Sequence, residues 1–287
     1  MSRMSGEPAR GTLFVVATPI GNLADVTMRA LETLRTCDRV VAEDTRRTRQ
    51  LLSHFGVAGK PVERLDAHAS ARDVARVVER LAAGERVALV TDAGTPGVSD
   101  PGEALVEAAV RAGARVVPVP GPSAALAAFV ASGLAADGRF RFVGFLPREG
   151  PARREAIATV CATPEPVVLF EAANRVRATL RDLADATPDR RACVARELTK
   201  VHEELVRGTC AELAADAREW VGEVAVVLGA HAPEAREARV DDAALDARID
   251  DELSRGAHAK ATAERLAAWS GRGKREVYER VLARKRR

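Results

Sequence analysis

Strand-like and helix-like patterns alternate regularly through the first 120 residues, and this alternation limits the fold more than any other feature of the sequence. Short apolar runs predict strands at residues 13–17, 38–42, 61–65, 86–90 and 115–119. Amphipathic patterns predict helices between them, at residues 25–36, 45–55, 70–83 and 103–112. Because strands that alternate with helices pair in parallel, the sequence predicts a parallel sheet covered by helices.

The second half of the chain predicts another α/β domain, followed by a purely helical end. Further strands are expected at residues 141–146, 167–171, 192–196 and 223–228, with a shorter one at 204–207. A polar stretch at 231–242 is the expected linker, and only helical patterns follow it. The predicted domains are an α/β domain at 1–120, a second α/β domain at 121–236 and a small helical domain at 240–287.

Composition argues against a membrane, secreted or metal-binding protein. No apolar stretch reaches the roughly 20 residues that a membrane span needs, and no apolar signal segment precedes Gly11. The cysteines are widely spaced and form no ligand pattern, so we expect reduced core thiols in a cytoplasmic protein. They are Cys37, Cys161, Cys193 and Cys210. We expect no metal site.

The loop TDAGTPGVSDPG, residues 91–102, carries the clearest sign of a ligand. Its glycines let a ligand approach the main chain closely, and loops at the carboxyl ends of parallel strands form the ligand crevice. It has no lysine, which a phosphate-binding loop normally has. Acid in its place suits hydroxyls, an ammonium or a sulfonium. We therefore interpret Asp92 as a ligand contact and Asp100 as the cap of the following helix.

Other strand ends also carry glycine or charge. The turn after the first strand, ATPIGN, lacks the G-x-G-x-x-G of dinucleotide sites and is either a ligand loop or a plain turn capped by Asp25. Glu43, Asp44 and Arg46 follow the second strand, where they either face the crevice or begin a charged helix. FEAANR and RELTK place further charge directly after apolar strands.

In their order along the chain, seven stretches together resemble one family. They are TPIGNLADVTMRA, AEDTR, TDAGTPGVSDPG, PGPSA, GFLPR, RELTK and GEVAVVL. They are similar to the small-subunit ribosomal RNA cytidine 2′-O-methyltransferases, a branch of the tetrapyrrole methylase fold. The resemblance covers nearly the whole chain. It departs at Thr91, where serine is more usual, and at residues 69–70 and 172–174, where groups that contact the substrate are missing.

The resemblance implies two α/β domains of the tetrapyrrole methylase type, with S-adenosylmethionine in the cleft between them, and a homodimer. An acidic loop without lysine agrees with a phosphate-free cofactor that carries a cationic sulfur. The resemblance implies that seven residues contact the cofactor: Pro19, Asp92, Gly94, Thr95, Ser123, Ala124 and Phe170.

The implied reaction is attack by a cytidine 2′-oxygen of 16S ribosomal RNA on the methyl carbon. Alignment supplies most of the acceleration, and a base takes the hydroxyl proton. The candidate bases are Asp44, Glu171, Glu197 and Lys200. Arg46 and Arg175 are candidates to hold flanking phosphates.

The end of the chain is basic. Residues 271–287 hold eight Lys or Arg and two Glu, a net charge of +6, which leaves −3 on the rest. Helices are predicted at 259–268 and 274–283, with Ala261, Leu266, Val277 and Val281 facing a shared core. This end is similar to the family's small helix-turn-helix, which predicts RNA contact. The alternative is a helical hairpin that only packs on the body.

Two other functions compete with RNA methylation. Precorrin and uroporphyrinogen C-methyltransferases share the fold, but they usually open with Gly-x-Gly-Pro-Gly-Asp, whereas residues 17–22 here read ATPIGN. The other alternative is a non-catalytic ribosome-binding protein of the same fold, which would not bind the cofactor.

Overall fold

The structure, a computed structural model, describes residues 11–231, 242–270, 272 and 274–285. They form two compact units, one ending at Ala230 and the other beginning at His231. The first unit contains two five-stranded sheets, and the second is helical.

The first sheet is parallel throughout, as the alternating sequence pattern predicts. Its strands are β1 (Thr12–Val16), β2 (Arg39–Ala42), β3 (Val62–Arg64), β4 (Arg86–Val90) and β5 (Arg115–Val119). They lie in the order β3-β2-β4-β1-β5, and each neighbouring pair is parallel. Because β1 and β4 are central, the loops that follow them lie side by side at the carboxyl edge of the sheet.

Four helices connect these strands. They are α1 (Met28–Thr36), α2 (Thr45–His54), α3 (Ala71–Ala82) and α4 (Glu103–Arg111). Ser70 is the N-cap of helix α3, where it forms a capping box with Asp73. Helix α1 begins three residues later than predicted, because Thr27 caps it by accepting the N–H of Ala30 at 3.1 Å.

The second sheet is mixed. Its strands are β6 (Arg141–Phe145), β7 (Val167–Ala172), β8 (Arg191–Arg196), β9 (Glu204–Thr209) and β10 (Glu223–Leu228). They lie in the order β6-β7-β10-β8-β9; β6 is parallel to β7, and the remaining pairs are antiparallel. Strand β9 extends beyond the predicted 204–207, since it pairs with β8 along its whole length. The helices of this half are α5 (Ala124–Ala131), α6 (Gly150–Ala162), α7 (Ala173–Ala186) and α8 (Cys210–Ala215).

All four cysteines are unpaired and buried. Cys37 packs in the apolar core beside the parallel sheet, and the other three pack in the cores on the two faces of the mixed sheet. Burial raises the pKa of all four thiols, to about 11 for Cys210. These thiols therefore behave as small core side chains.

The helical unit consists of α9 (Asp242–Ser254), α10 (Ala259–Ser270) and α11 (Lys274–Lys285). Leu266, Val277 and Val281 share one buried core, as predicted. Ala261 was predicted wrongly, because it is exposed and Ala263 takes the inward position. Successive helical residues turn by about 100°, so a residue three positions from Leu266 lies near its face and one five positions away does not.

The acids of α9 neutralise part of the basic end. Arg280 donates to Asp246 at 2.6 Å, and Arg284 pairs with Asp246 and Asp250. Arg272 pairs with Asp242 at 2.5 Å. Most of the predicted linker lies outside the described residues, and its last residue, Asp242, already belongs to α9. Across the described ranges, the helices are too short or too polar to cross a bilayer.

Candidate active site

A cavity of about 340 Å³ lies where the loops of the parallel sheet meet the strands of the mixed sheet. From the first half it is lined by the loops after β1, β4 and β5. From the second half it is lined by residues of β6, β7, β8 and β10. Five of the predicted cofactor residues line it together, namely Gly94, Thr95, Ser123, Ala124 and Phe170.

Hydrogen bonds tie the three loops of the first half to one another. Thr18 and Gly94 exchange two backbone hydrogen bonds, at 2.8 and 3.0 Å. Thr95 Oγ1 donates to the carbonyl of Pro122 at 3.2 Å. Gly94 has a φ of +82°, and a Cβ there would lie 3.4 Å from Ile20 Cγ2. The sequence therefore needs glycine at this point of the cavity wall.

Asp92 and Pro19 border a neighbouring cleft of about 380 Å³ rather than the main cavity. The Asp92 carboxylate accepts the backbone N–H of Asp44 at 3.1 Å and pairs with Arg47 at 3.1 Å. In this structure Asp92 thus links the loop after β4 to the start of α2.

Asp100 lines the main cavity, so its interpretation as a helix cap is wrong. The N-cap of α4 is Gly102, which has a φ of +137°, and a Cβ there would lie 2.9 Å from Leu89 Cδ2, so a side chain has no room. Burial, and then the nearby carboxylates of Glu43 and Asp92, raise the pKa of Asp100 to about 6. A glycine directly before Glu103 was the sequence signal that a side-chain cap is absent.

Glu171 is buried, and both oxygens of its side chain have partners. Oε1 pairs with Arg175 at 2.5 Å and accepts the N–H of Ala172 at 2.9 Å. Oε2 accepts the hydroxyl of Thr179 at 2.6 Å. Glu171 lines the cavity, but its side chain is fully buried and is held within this network.

Glu197 and Lys200 form an ion pair on the loop after β8. Lys200 Nζ lies 2.8 Å from Glu197 and 3.1 Å from Glu223. Hydrogen bonding to Lys200 lowers the pKa of Glu197. Burial lowers the pKa of Lys200, but its hydrogen bonds to the two glutamates outweigh burial and raise it above the ordinary value. Lys200 is therefore a fixed cation at neutral pH.

The same loop packs tightly against the first half of the chain. Glu197 and Thr199 have positive φ angles of 50° and 66°. A Cβ on Gly21 would lie 2.5 Å from Lys200 Cγ and 2.9 Å from the carbonyl of Leu198. Gly21 therefore lets the loop after β1 meet the loop after β8, and Leu198 lines the cavity beside them.

Asp44 is the N-cap of α2, which agrees with the interpretation of its segment as a charged helix start. It accepts the backbone N–H groups of Arg46 and Arg47 at 2.7 and 3.2 Å, and these bonds lower its pKa. The Arg46 side chain is 80% exposed. Neither Asp44, Arg46, Glu197 nor Lys200 lines the main cavity.

Comparisons with known proteins agree with this arrangement. A family described as Tetrapyrrole (Corrin/Porphyrin) Methylases matches residues 12–214. The ribosomal RNA small subunit methyltransferase I of Xylella fastidiosa is 48% identical over 223 residues, covering 76% of this chain and 81% of that protein. The protein of the same name from Neisseria meningitidis serogroup A is 41% identical over 287 residues, covering 99% and 97%.

Solved structures show the same fold at low sequence identity. A diphthine synthase superposes with a TM-score of 0.59 at 18% identity, over 77% of this chain and 91% of that one. The methyltransferase CobJ superposes with a TM-score of 0.58 at 20% identity, over 78% and 95%. The predicted fold class, two α/β domains of this type with an added helical end, is confirmed.

Proposed function

Since the chain belongs to the tetrapyrrole methylases, and within them to the ribosomal RNA small subunit methyltransferase I proteins, we propose that it methylates a cytidine 2′-oxygen in 16S ribosomal RNA. S-adenosylmethionine is the methyl donor of this reaction. The observation that carries the proposal is the acidic, glycine-walled cavity between the two sheets. An alternative tetrapyrrole substrate has in its favour the description of the matched family and a likeness in fold to a uroporphyrin-III C-methyltransferase at 20% identity.

The residues of the cavity fit this cofactor. Asp100 offers a carboxylate to a cation or to ribose hydroxyls, and Gly94 offers close backbone approach. Ala124, Ala195 and Ala225 offer small apolar walls against which a purine can lie. We propose that Gly94, Thr95, Ser123, Ala124 and Phe170 hold the cofactor directly. We propose that Pro19 and Asp92 support it by fixing the loops beside it.

The chain's main contribution to catalysis is positioning. Bound S-adenosylmethionine supplies an electrophilic methyl group on a cationic sulfur. The tied loops after β1, β4 and β5 hold one wall of the cavity rigid, and the mixed sheet closes the other. Alignment of reacting groups in such a site contributes up to about 7–11 kcal/mol in favourable cases. Buried apolar lining residues such as Ala195 and Ala225 favour a dry reacting centre.

We propose different parts for the candidate catalytic residues. Glu171, Glu197 and Lys200 are each held in a short ion pair, which suits positioning. Asp44 uses Oδ1 for the helix cap, while among the described residues Oδ2 has a single long contact, 3.9 Å from Arg46. We therefore propose Asp44 as the proton acceptor and the exposed Arg46 as a phosphate contact.

RNA is the substrate, and we propose further that the small ribosomal subunit presents it. We also propose a homodimer, a cytoplasmic location beside that substrate, and domain limits at 1–120, 121–236 and 240–287. The separate sheets support the first of these boundaries. Contact of the helical unit with RNA is part of the proposal.

The test is methyl transfer with purified components. The protein, methyl-labelled S-adenosylmethionine and unmethylated small subunits are incubated, and the RNA is digested and mapped by mass. We expect one label on a cytidine ribose. Label on a base, or on a tetrapyrrole but not on RNA, would reject the proposal, and absence of cofactor binding in a calorimeter would favour the non-catalytic alternative.

A further inference from the structure

Strand β6 contains an irregularity beside the cavity. Its pairing with β7 runs through Arg141 and Phe142, skips one residue, and resumes at Gly144 and Phe145. Gly144 has a φ of +66°, and a Cβ there would lie 2.7 Å from Ser99 Oγ. The approach of the loop after β4 therefore requires glycine at 144, where the strand bulges.

The bulge redirects Phe145. In a regular strand, residues three apart point to opposite faces, so the rings of Phe142 and Phe145 would lie on opposite sides of the sheet. The skipped residue places them on the same side. Both rings contact Phe170, with centroids 5.0 and 5.6 Å away. Bulges next to active sites commonly re-aim a side chain in this manner.

Phe145 lies at the rim of the cavity rather than inside it. Its side chain is 56% exposed, whereas the inner lining residues Gly94, Ala195 and Ala225 are buried. Phe145 is also the one aromatic residue among the exposed lining residues in the described part of the chain. A large apolar ring held open to solvent at a cavity mouth has a free face on which a planar group can stack.

We propose that Phe145 is the stacking platform for the target nucleobase and so positions the ribose whose oxygen receives the methyl group. This inference rests on the proposed function. Enzymes that modify a nucleotide within RNA draw it out of its stack, and aromatic side chains replace the lost stacking. The rim position favours the nucleobase over the cofactor adenine, because the polymer approaches from solvent while the cofactor occupies the buried interior.

Arg148 supports the same assignment. It follows Phe145 by three residues, in the loop between β6 and α6, and is exposed. Within the described residues, it has neither a hydrogen bond nor an ion pair to a carboxylate. An exposed guanidinium on the loop that follows the stacking ring can take a phosphate of the bound RNA.

The experiment compares Phe145→Ala, Phe145→Leu and Phe145→Trp with the wild type. Val110→Ala, which truncates an exposed apolar side chain on α4, is the control for general surface effects. Two quantities are measured for each protein: the Kd of S-adenosylmethionine by calorimetry, and kcat/KM for methylation of small subunits. Tryptophan emission of the Phe145→Trp variant is followed on adding a short RNA that carries the target cytidine.

We expect Phe145→Ala to lower kcat/KM by about 5- to 150-fold, the range that base–aromatic stacking contributes, while the cofactor Kd stays within about twofold. Phe145→Trp should retain most activity, Phe145→Leu should not, and RNA should quench the new tryptophan. A parallel loss of cofactor affinity would instead assign the ring to adenine, and full activity of Phe145→Leu would reduce it to a space-filling residue. Either result, with an active wild type, overturns this inference alone. An inactive wild type overturns the proposed function as well.

Discussion

The Asp92 carboxylate accepts the backbone N–H of Asp44 at 3.1 Å, and this bond joins the glycine-rich loop after β4 to the first turn of α2. An acid in this loop therefore has a structural partner in the first turn of α2. The ion pair of Asp92 with Arg47 adds little, since the arginine side chain is 62% exposed. Loss of the hydrogen bond should therefore destabilise this loop more than loss of the ion pair.

Asp92→Ala should lower the free energy of unfolding by about 1–2 kcal/mol, the cost of leaving the partly buried N–H of Asp44 unpaired. Cofactor affinity should fall sharply with it, because the cavity wall loosens. Asp92→Asn keeps an acceptor oxygen and should retain most of both. Calorimetry and thermal unfolding measure the two quantities; equal losses in Ala and Asn would show that the charge, not the hydrogen bond, matters.

Gly94→Val should nearly abolish cofactor binding, because the side chain adds strain at positive φ and enters the cavity wall. Gly59→Val is a matched control: its φ is +71° and no atom lies within 4 Å of a Cβ there. Both variants should lose about 1–2 kcal/mol of stability through backbone strain. Cofactor binding by Gly94→Val at wild-type strength would move the site elsewhere.

Asp100→Asn should make the protein more stable and a weaker binder. Burial and neighbouring carboxylates raise its pKa from 3.8 to about 6, so the ionised form costs stability at neutral pH. After discounting for solvent screening, the gain is about 1 kcal/mol, or about 2–4 °C in Tm. Cofactor affinity should fall about 10- to 100-fold through loss of a charged hydrogen bond.

The pH dependence of stability, compared between the wild type and Asp100→Asn, provides a second check on Asp100. As pH falls from 7 through 6 toward 4, wild-type Asp100 becomes neutral and the stability advantage of Asp100→Asn should disappear. Wild-type cofactor affinity should fall over the same range, because a protonated acid no longer attracts a cation. An advantage that persists at pH 4 would contradict the raised pKa.

Arg190→Lys should destabilise the mixed sheet. The Arg190 side chain is buried and donates to several backbone carbonyls, including Gly229 at 2.9 Å, Val160 at 3.0 Å and Thr163 at 3.1 Å. A lysine cannot reproduce this planar fork, so we expect a loss of about 2–4 kcal/mol in denaturant unfolding. Arg191→Lys, at the exposed neighbouring position, should change stability by less than about 0.5 kcal/mol.

Truncation after Ala238 should leave cofactor binding nearly intact, because the cavity lies wholly within the first unit. RNA affinity should weaken, and its log–log salt slope should flatten by at least about 0.7, the contribution of one phosphate contact. The flattening should be smaller than eight basic residues would give, since Arg272, Arg280 and Arg284 already pair with acids of α9. An unchanged slope would remove RNA contact from this unit.

The parallel sheet could be predicted because it depends on local patterns, and the family resemblance named five residues that line one cavity. Apolar runs fix the strands, and glycine after a strand fixes the loop that lines the cavity, as at Gly94. Asp100 and Phe145 could not be placed, since their directions depend on contacts between distant segments. Asp100 is free to face the cavity because Gly102 packs on Leu89, and Phe145 is turned by a register shift against β7.

The four buried thiols can report on local unfolding of the chain. Alkylating reagents attack the thiolate, so four inaccessible thiols with raised pKa values should react only when their surroundings unfold. Cys37 would report on the parallel sheet, and Cys161, Cys193 and Cys210 on the mixed sheet. Alkylation rates at the individual cysteines, measured by mass spectrometry, would therefore give the unfolding rate of each half separately. No additional cysteine would have to be introduced.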